Sequence, residues 1–212
     1  MSVQLVLAGS GPTRPVAAGA IGILGGAFDP VHSAHVVMAR NALDSLKLSK
    51  VLWIPSGIPP HREPPIAAAE HRAAMVRLAI REEPRFVLDE RELRKTTPGY
   101  TVETLEELRA EYGSQVELVL LIGADQFQRL QTWHRWRDLE SLARLGLHAR
   151  PPYPLTVSGQ ALVVPMPLME VSSTAIRERI AAGEPVRGMV PEAALDYIQS
   201  HNLYCPQERR TR

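Results

Sequence analysis

From residue 20 onward the sequence alternates two kinds of segment, and this alternation limits the possible folds more than any other feature. Short apolar runs, "AIGIL", "KVLWIPS", "RFVLDE", "VELVLLIGAD", "LGLHA" and "ALVVP", have the length and character of buried strands. Between them lie segments with apolar residues at helical spacing. Residues 33–47 carry Val36, Ala39, Leu43 and Leu46, and residues 70–82 carry Met75, Leu78 and Ala79. "TVETLEELRAEYG", "RDLESLARLG", "SSTAIRERIAAG" and "PEAALDYIQSHN" supply the remaining helices. Strands alternating with helices predict an α/β fold, a doubly wound parallel sheet covered on both faces, followed by a short helical C-terminal part.

Helix ends are marked locally. Thr101 is placed to cap "TVETLEELRAEYG", with Thr104 where a capping box would have Glu or Gln, and Gly113 stops it. Gly183 ends "SSTAIRERIAAG", and Pro191 sits at the first turn of the last helix. The expected organisation is an N-terminal extension at 1–20, a domain at 21–204 and a solvated tail at 205–212. The extension reads as flexible, with an edge strand at Val3–Ala8 as the alternative. It lacks the basic start and the ~7–15-residue apolar core of a secretory signal.

Composition then excludes several functions. The formal net charge is +1, which gives no nucleic-acid footprint and no attraction to an acidic membrane surface. No run approaches the ~18 apolar residues of a membrane span. One cysteine, Cys205, cannot form an internal disulfide, so a reducing, cytoplasmic setting is expected.

The chemistry concentrates at "ILGGAFDPVHSAHVVMA", residues 23–39. Gly25 and Gly26 end the first strand, where a doubly wound sheet binds ligands. Without side chains they let a phosphate approach the backbone, and the next helix offers free N–H groups and the positive end of its dipole. The loop is neither G-x-G-x-x-G nor a Walker A loop. His32 and His35 are three apart, so both imidazoles lie on one side of the first helical turn. They can stabilise charge developing on phosphorus. The same pair would also suit a helix cap with a packed neighbour, or two zinc ligands, although no third ligand at metal spacing accompanies them. Near the other end, "VSSTAIR" (171–177) places a hydroxyl and a guanidinium four residues apart at a capped helix start, which suits a polyphosphate or an ordinary capped helix.

"GGAFDPVHSAH" resembles the G-x-F-D-P-x-H-x-G-H signature of the nucleotidyltransferase superfamily, and "VSSTAIR" resembles its I-S-S-T-x-I-R. Ala34 stands where that signature has glycine, which adds one methyl beneath the nucleotide. Four more segments resemble the bacterial nicotinate-nucleotide adenylyltransferase family: "PSGIPPHR" (55–62), "DERELRKTTPGYT" (89–101), "IGADQFQRLQTWHRW" (122–136) and "ARPPYPL" (149–155). The resemblance spans roughly residues 21 to 204 and implies a Rossmann-like fold. Pantetheine-phosphate adenylyltransferases usually have Thr in place of His32, and cytidylyltransferases carry a different C-terminal motif.

The resemblance implies that Gly25, Gly26, Phe28, His32 and His35 hold ATP and its phosphates, with Ser172, Ser173 and Arg177 closing over the triphosphate. His32, His35 and Arg177 would be the catalytic set. Asp125, after Gly123, would bond ribose hydroxyls; a helix cap is its plain alternative. Thr97, Tyr100, Trp133 and His134 would surround the pyridine ring, and His61, Arg62 and Arg150 would meet the mononucleotide phosphate. Trp133 could instead be a packing aromatic, and Arg62 and Arg150 surface charges. The implied reaction joins ATP and nicotinate mononucleotide to give deamido-NAD and pyrophosphate. Mg²⁺ would arrive mainly on the triphosphate, with no metal held by the protein alone. The alternatives are another acceptor, such as nicotinamide mononucleotide, or a nucleotide-binding regulatory module without catalysis. The sequence does not specify an oligomeric state.

Overall fold

The structure is a computed structural model that describes residues 14–58, 64–149, 161–167 and 169–206. Six strands form one sheet: β1 (Ile21–Gly26), β2 (Lys50–Pro55), β3 (Phe86–Leu88), β4 (Leu118–Gly123), β5 (Arg144–Ala149) and β6 (Leu162–Pro165). Their order is β3-β2-β1-β4-β5-β6. The β1–β4, β4–β5 and β5–β6 pairings are parallel. Parallel strands need covered crossovers, and helices provide them: α1 (Ser33–Ser45), α2 (Ala69–Ile80), α3 (Thr101–Tyr112), α4 (Ala124–Gln128) and α5 (Leu139–Leu142). Then α6 (Ser173–Ala182) and α7 (Glu192–Ser200) form the helical C-terminal part. This is the expected doubly wound α/β architecture. Among the described residues no helix is long and apolar enough to cross a membrane.

The chain divides into two compact units. The first comprises Met1–Leu24, Met38–Leu52 and Gly99–Leu168, and the second Gly25–Val37, Trp53–Pro98 and Met169–Arg212. In the first unit, β4 is buried along Leu118–Ile122, as its unbroken apolar run predicts. Two strand glycines have steric reasons. A Cβ at Gly22 would lie 2.8 Å from Leu48 Cδ1, and one at Gly146 would lie 2.8 Å from Leu121 Cδ2. His148 on β5 is fully buried, and burial lowers its pKa to about 4. It is therefore neutral near pH 7, and its Nε2 lies 3.0 Å from the Met38 carbonyl oxygen.

In the second unit, Trp53 is fully buried between Phe28 and Phe86, each with its ring centre 5.5 Å away. Phe28 is thereby anchored beneath the turn that follows β1. Two local expectations shift. The cap of α3 is Tyr100, not Thr101, because the Thr104 N–H reaches the Tyr100 carbonyl and Thr101 is already helical. Pro191 likewise precedes α7 as its cap, its carbonyl accepting from the Ala194 and Leu195 N–H groups.

Candidate active site

The second unit gathers both motifs. Strand β1 ends at Gly25 and Gly26, and a turn of Ala27, Phe28, Asp29 and Pro30 leads to α1. Among the described residues a Cβ at Gly25 would meet only the Ile54 carbonyl oxygen, at 4.0 Å. The protein thus leaves this backbone open to an outside group. Phe28 adopts φ 49°, a left-handed conformation that costs a bulky residue ~1–3 kcal/mol. The surroundings over-determine it. Arg72 Nη1 donates to the carbonyls of Ala27 (2.9 Å) and Ser56 (2.7 Å), and its Nε donates to Ala67 (3.2 Å). The Asp29 carboxylate accepts from the N–H groups of Ile66 (2.7 Å) and Ala67 (3.0 Å) and from the Tyr204 hydroxyl (2.8 Å).

His32 and His35 stack with ring centres 3.7 Å apart and planes 22° apart. Their spacing on the first turn of α1 produces this, as predicted. The His32 N–H donates to His35 Nδ1 at 3.2 Å. That nitrogen must therefore be bare, and the His35 proton sits on Nε2. Burial, and then the nearby His32 charge, hold His35 well below the ordinary imidazole value, so the ring is neutral near pH 7. A neutral imidazole with a fixed Nε2–H is a directed donor. Phe28 fixes the ring from its edge at 5.0 Å.

The start of α1 corrects one expectation, because most of its N–H groups are already used. His32 N–H serves His35, Ser33 N–H serves the Met189 carbonyl at 2.9 Å, and those of His35 and Val36 return to the His32 carbonyl. Ser33 Oγ also donates to Gly188 at 2.8 Å. The turn from α6 to α7 thus docks on this helix start. What α1 can offer a phosphate is chiefly imidazole and dipole. Ala34 is buried within an unbroken helix, so its extra methyl is accommodated.

Helix α6 opens on Ser172, whose Oγ accepts from the Ala175 N–H at 3.2 Å, and closes on Gly183 in the left-handed conformation. Four residues apart, Ser173 Oγ donates to Pro30 (2.9 Å) and Arg177 Nη1 donates to the Asp29 carbonyl (2.7 Å). The second motif therefore grips the first. Among the described residues Arg177 Nη2 makes only a 3.5 Å contact with Thr174 Oγ1, which leaves that edge of the guanidinium for an anion.

The other expected residues are placed separately. Thr97, in the second unit, is exposed in the loop before α3. In the first unit, the Tyr100 ring lies 4.3 Å from that of His134, and Trp133 beside it is half-buried. Gly123 caps α4, and Asp125 is exposed in the first turn, so Asp125 is not the cap. A Cβ at Gly123 would lie 2.7 Å from Asp125 Oδ1, so the glycine makes room for that carboxylate. His61, Arg62 and Arg150 lie outside the described residues. Among the described residues no group of three His, Cys, Asp or Glu could hold a metal ion.

Residues 23–179 match the cytidylyltransferase-like family model. The probable nicotinate-nucleotide adenylyltransferase of Dechloromonas aromatica is 40% identical over 210 residues, covering 87% of this chain and 97% of its own. That of Chromobacterium violaceum is 42% identical over 207 residues, covering 87% and 98%. This chain belongs to the nicotinate-nucleotide adenylyltransferase family. A solved member supports the fold: the Plasmodium falciparum nicotinic acid mononucleotide adenylyltransferase complexed with NaAD superposes with a TM-score of 0.74. It is 17% identical and covers 87% of this chain and 96% of its own. Arg72 and Tyr204 are parts of this arrangement that the sequence alone did not reveal. Arg72 had a signal, since it lies three and four residues before the buried Met75 and Val76, on the apolar stripe of α2.

Proposed function

We propose that this protein transfers the adenylyl group of ATP to nicotinate mononucleotide, giving deamido-NAD and pyrophosphate. The observation that carries this is the stacked His32–His35 pair on a turn gripped by Ser173 and Arg177. A mononucleotide phosphate oxygen attacks the α-phosphorus in line. The new P–O bond forms as the bond to the β-phosphate oxygen breaks, and pyrophosphate leaves with that electron pair. The acceptor is itself the nucleophile, so the protein supplies position and charge stabilisation.

In this reading Gly25 and Gly26 let the phosphates approach, with Phe28 holding the turn beneath them. His32 and His35 face the reacting phosphate, and the His35 Nε2–H stabilises charge on its oxygens. Arg177 serves the β- and γ-phosphates with the Ser172 hydroxyl, while Ser173, whose proton is spent on Pro30, holds the turn in place; Asp125 serves the ribose diol. Mg²⁺ would arrive on ATP and would supply charge neutralisation at the phosphates; an ion that keeps several waters asks few protein ligands. Thr97, Tyr100, Trp133 and His134 are assigned to the pyridine ring.

Those assignments predict selectivity. Backbone N–H donors around Thr97 and His134 suit a carboxylate, which only accepts. A carboxamide must turn its NH₂ toward a donor or leave it unpaired. A charged hydrogen bond contributes ~1.5–3 kcal/mol, and an unpaired buried donor costs ~1–3 kcal/mol. We therefore expect kcat/KM at least ~10-fold higher for nicotinate mononucleotide than for its amide, since ~1.4 kcal/mol is tenfold. The gap should narrow in Trp133→Ala. Pyrophosphate release across a panel of phosphate acceptors measures this, and equal values for acid and amide would remove the specificity claim.

A further inference from the structure

We propose that Tyr204 is a positioning residue for adenylyl transfer, acting from the C-terminal end of the chain through Asp29 on Arg177. This rests on the role given to Arg177 toward the triphosphate. Tyr204 lies 175 residues from Asp29 and outside both motifs, yet its hydroxyl donates to Asp29 Oδ1 at 2.8 Å. Both residues are buried, at 6% and 5% exposure. The backbone at Tyr204 is held at φ 64°, and Asn202 just before it at φ 48°. A bulky side chain does not take that conformation without compensation. Here the compensation is ring burial and the bond to a buried carboxylate. Burial, the Asp29 charge and that hydrogen bond all push the phenol pKa up, so it remains a donor at any working pH.

The consequence lies in a competition for the charge of Asp29. Arg177 Nη1 donates to the Asp29 backbone carbonyl at 2.7 Å but stands 3.8 Å from Oδ2. It is therefore near the carboxylate without closing on it. The Tyr204 hydroxyl and the Ile66 and Ala67 N–H groups already give that carboxylate three donors. Without the phenol, Oδ1 keeps only the Ala67 N–H among the described residues, and the Arg177 guanidinium stands 3.8 Å from Oδ2. The guanidinium would turn inward to pair with Asp29 and withdraw from an anionic ligand. Tyr204 thus keeps Arg177 facing the substrate.

Tyr204→Phe removes one oxygen and keeps the ring. Steady-state kinetics of Y204F, R177K and the double variant, with ATP and nicotinate mononucleotide varied in turn, test the coupling. The expected result is a roughly tenfold fall in kcat/KM for ATP in Y204F, the size of one charged hydrogen bond, with the KM for nicotinate mononucleotide unchanged. R177K should fall further, since an ammonium does not reproduce the planar fork, and the double variant should fall no further than R177K. Leu203→Ala, at a buried neighbour, should lower the melting temperature yet keep kcat/KM within about twofold, because ordinary destabilisation does not reach Arg177. The melting shift induced by α,β-methylene-ATP is a second measurement that needs only a cooperative melt, and it should shrink in Y204F. Wild-type kinetics and an unchanged shift in Y204F would overturn the proposal. So would losses that multiply in the double variant, or an equal loss in L203A. A wild-type protein that releases no pyrophosphate with any acceptor would instead overturn the functional assignment, and this proposal with it.

Discussion

Replacing His35 by Ala should lower kcat by ~10²–10³-fold while changing ATP affinity far less, the usual consequence of losing one donor made for the transition state. The cause is the fixed tautomer: His35 Nδ1 is occupied by the His32 N–H, so the ring's proton sits on Nε2 and is available as a donor. Two further substitutions separate donation from packing. Asn can accept from the His32 N–H but cannot reach the Nε2 position, so His35→Asn should fold and remain slow. Gln extends an amide N–H toward that position and should recover part of the rate. The pH dependence of stability gives an independent reading. His35 is held below the ordinary imidazole value of about 6.5, chiefly by burial. The unfolded chain therefore takes up a proton near pH 6.5 that the folded protein refuses. Stability from this group is present above that pH and is lost as pH falls toward the folded value. Between pH 7 and pH 5, His35→Ala should lose less melting temperature than the wild type. A folded His35→Ala with wild-type kcat would refute the assignment.

Arg72 carries the largest expected effect on stability. It is 2% exposed, and its guanidinium holds three backbone carbonyls, those of Ala27, Ser56 and Ala67. It also supplies positive charge near the buried Asp29; burial lowers its pKa and Asp29 works against that shift. Arg72→Met keeps much of the volume but strands the carbonyls and leaves Asp29 less compensated. Removing one partner of such a buried charged network costs ~3–5 kcal/mol. For a chain of this size that is roughly 6–20 °C in melting temperature. Arg72→Lys should be only partly better, since an ammonium is a point charge and does not span three carbonyls. Urea unfolding with an unchanged m-value measures it. A loss below about 0.5 kcal/mol, the range of an ordinary surface substitution, would show that Arg72 does not hold the turn.

What could be read from the sequence divides along a physical line. Buried parallel strands write themselves as apolar runs, so β1 to β6 and their helices appear in the right order. The two histidines were legible because helical spacing alone puts positions 32 and 35 together. Ser173 and Arg177 were legible as neighbours four apart. That they grip Pro30 and Asp29 was not, since this contact spans more than 140 positions and leaves no local signal. Tyr204 was hidden for the same reason. The free N–H groups expected at the start of α1 were miscounted, because the Gly188–Met189 carbonyls that occupy the Ser33 donors come from a distant segment. Short α4 carries too few residues to show a period, and its first residues, Ala124 and Asp125, look from sequence like the end of the strand "VELVLLIGAD".

The proposed reaction is direct transfer of an adenylyl group from ATP to a phosphate acceptor, with no residue of the protein adenylylated on the way. The most direct measurement follows the label from [α-³²P]ATP, with and without nicotinate mononucleotide, in wild-type protein and in His35→Ala. Direct transfer puts label in deamido-NAD only when the acceptor is present, in amounts equal to the pyrophosphate released. No label should appear on the protein, and the rate in His35→Ala should fall by ~10²–10³-fold. Label that precipitates with the protein in the absence of acceptor would contradict direct transfer, as would a wild-type protein that forms no labelled deamido-NAD.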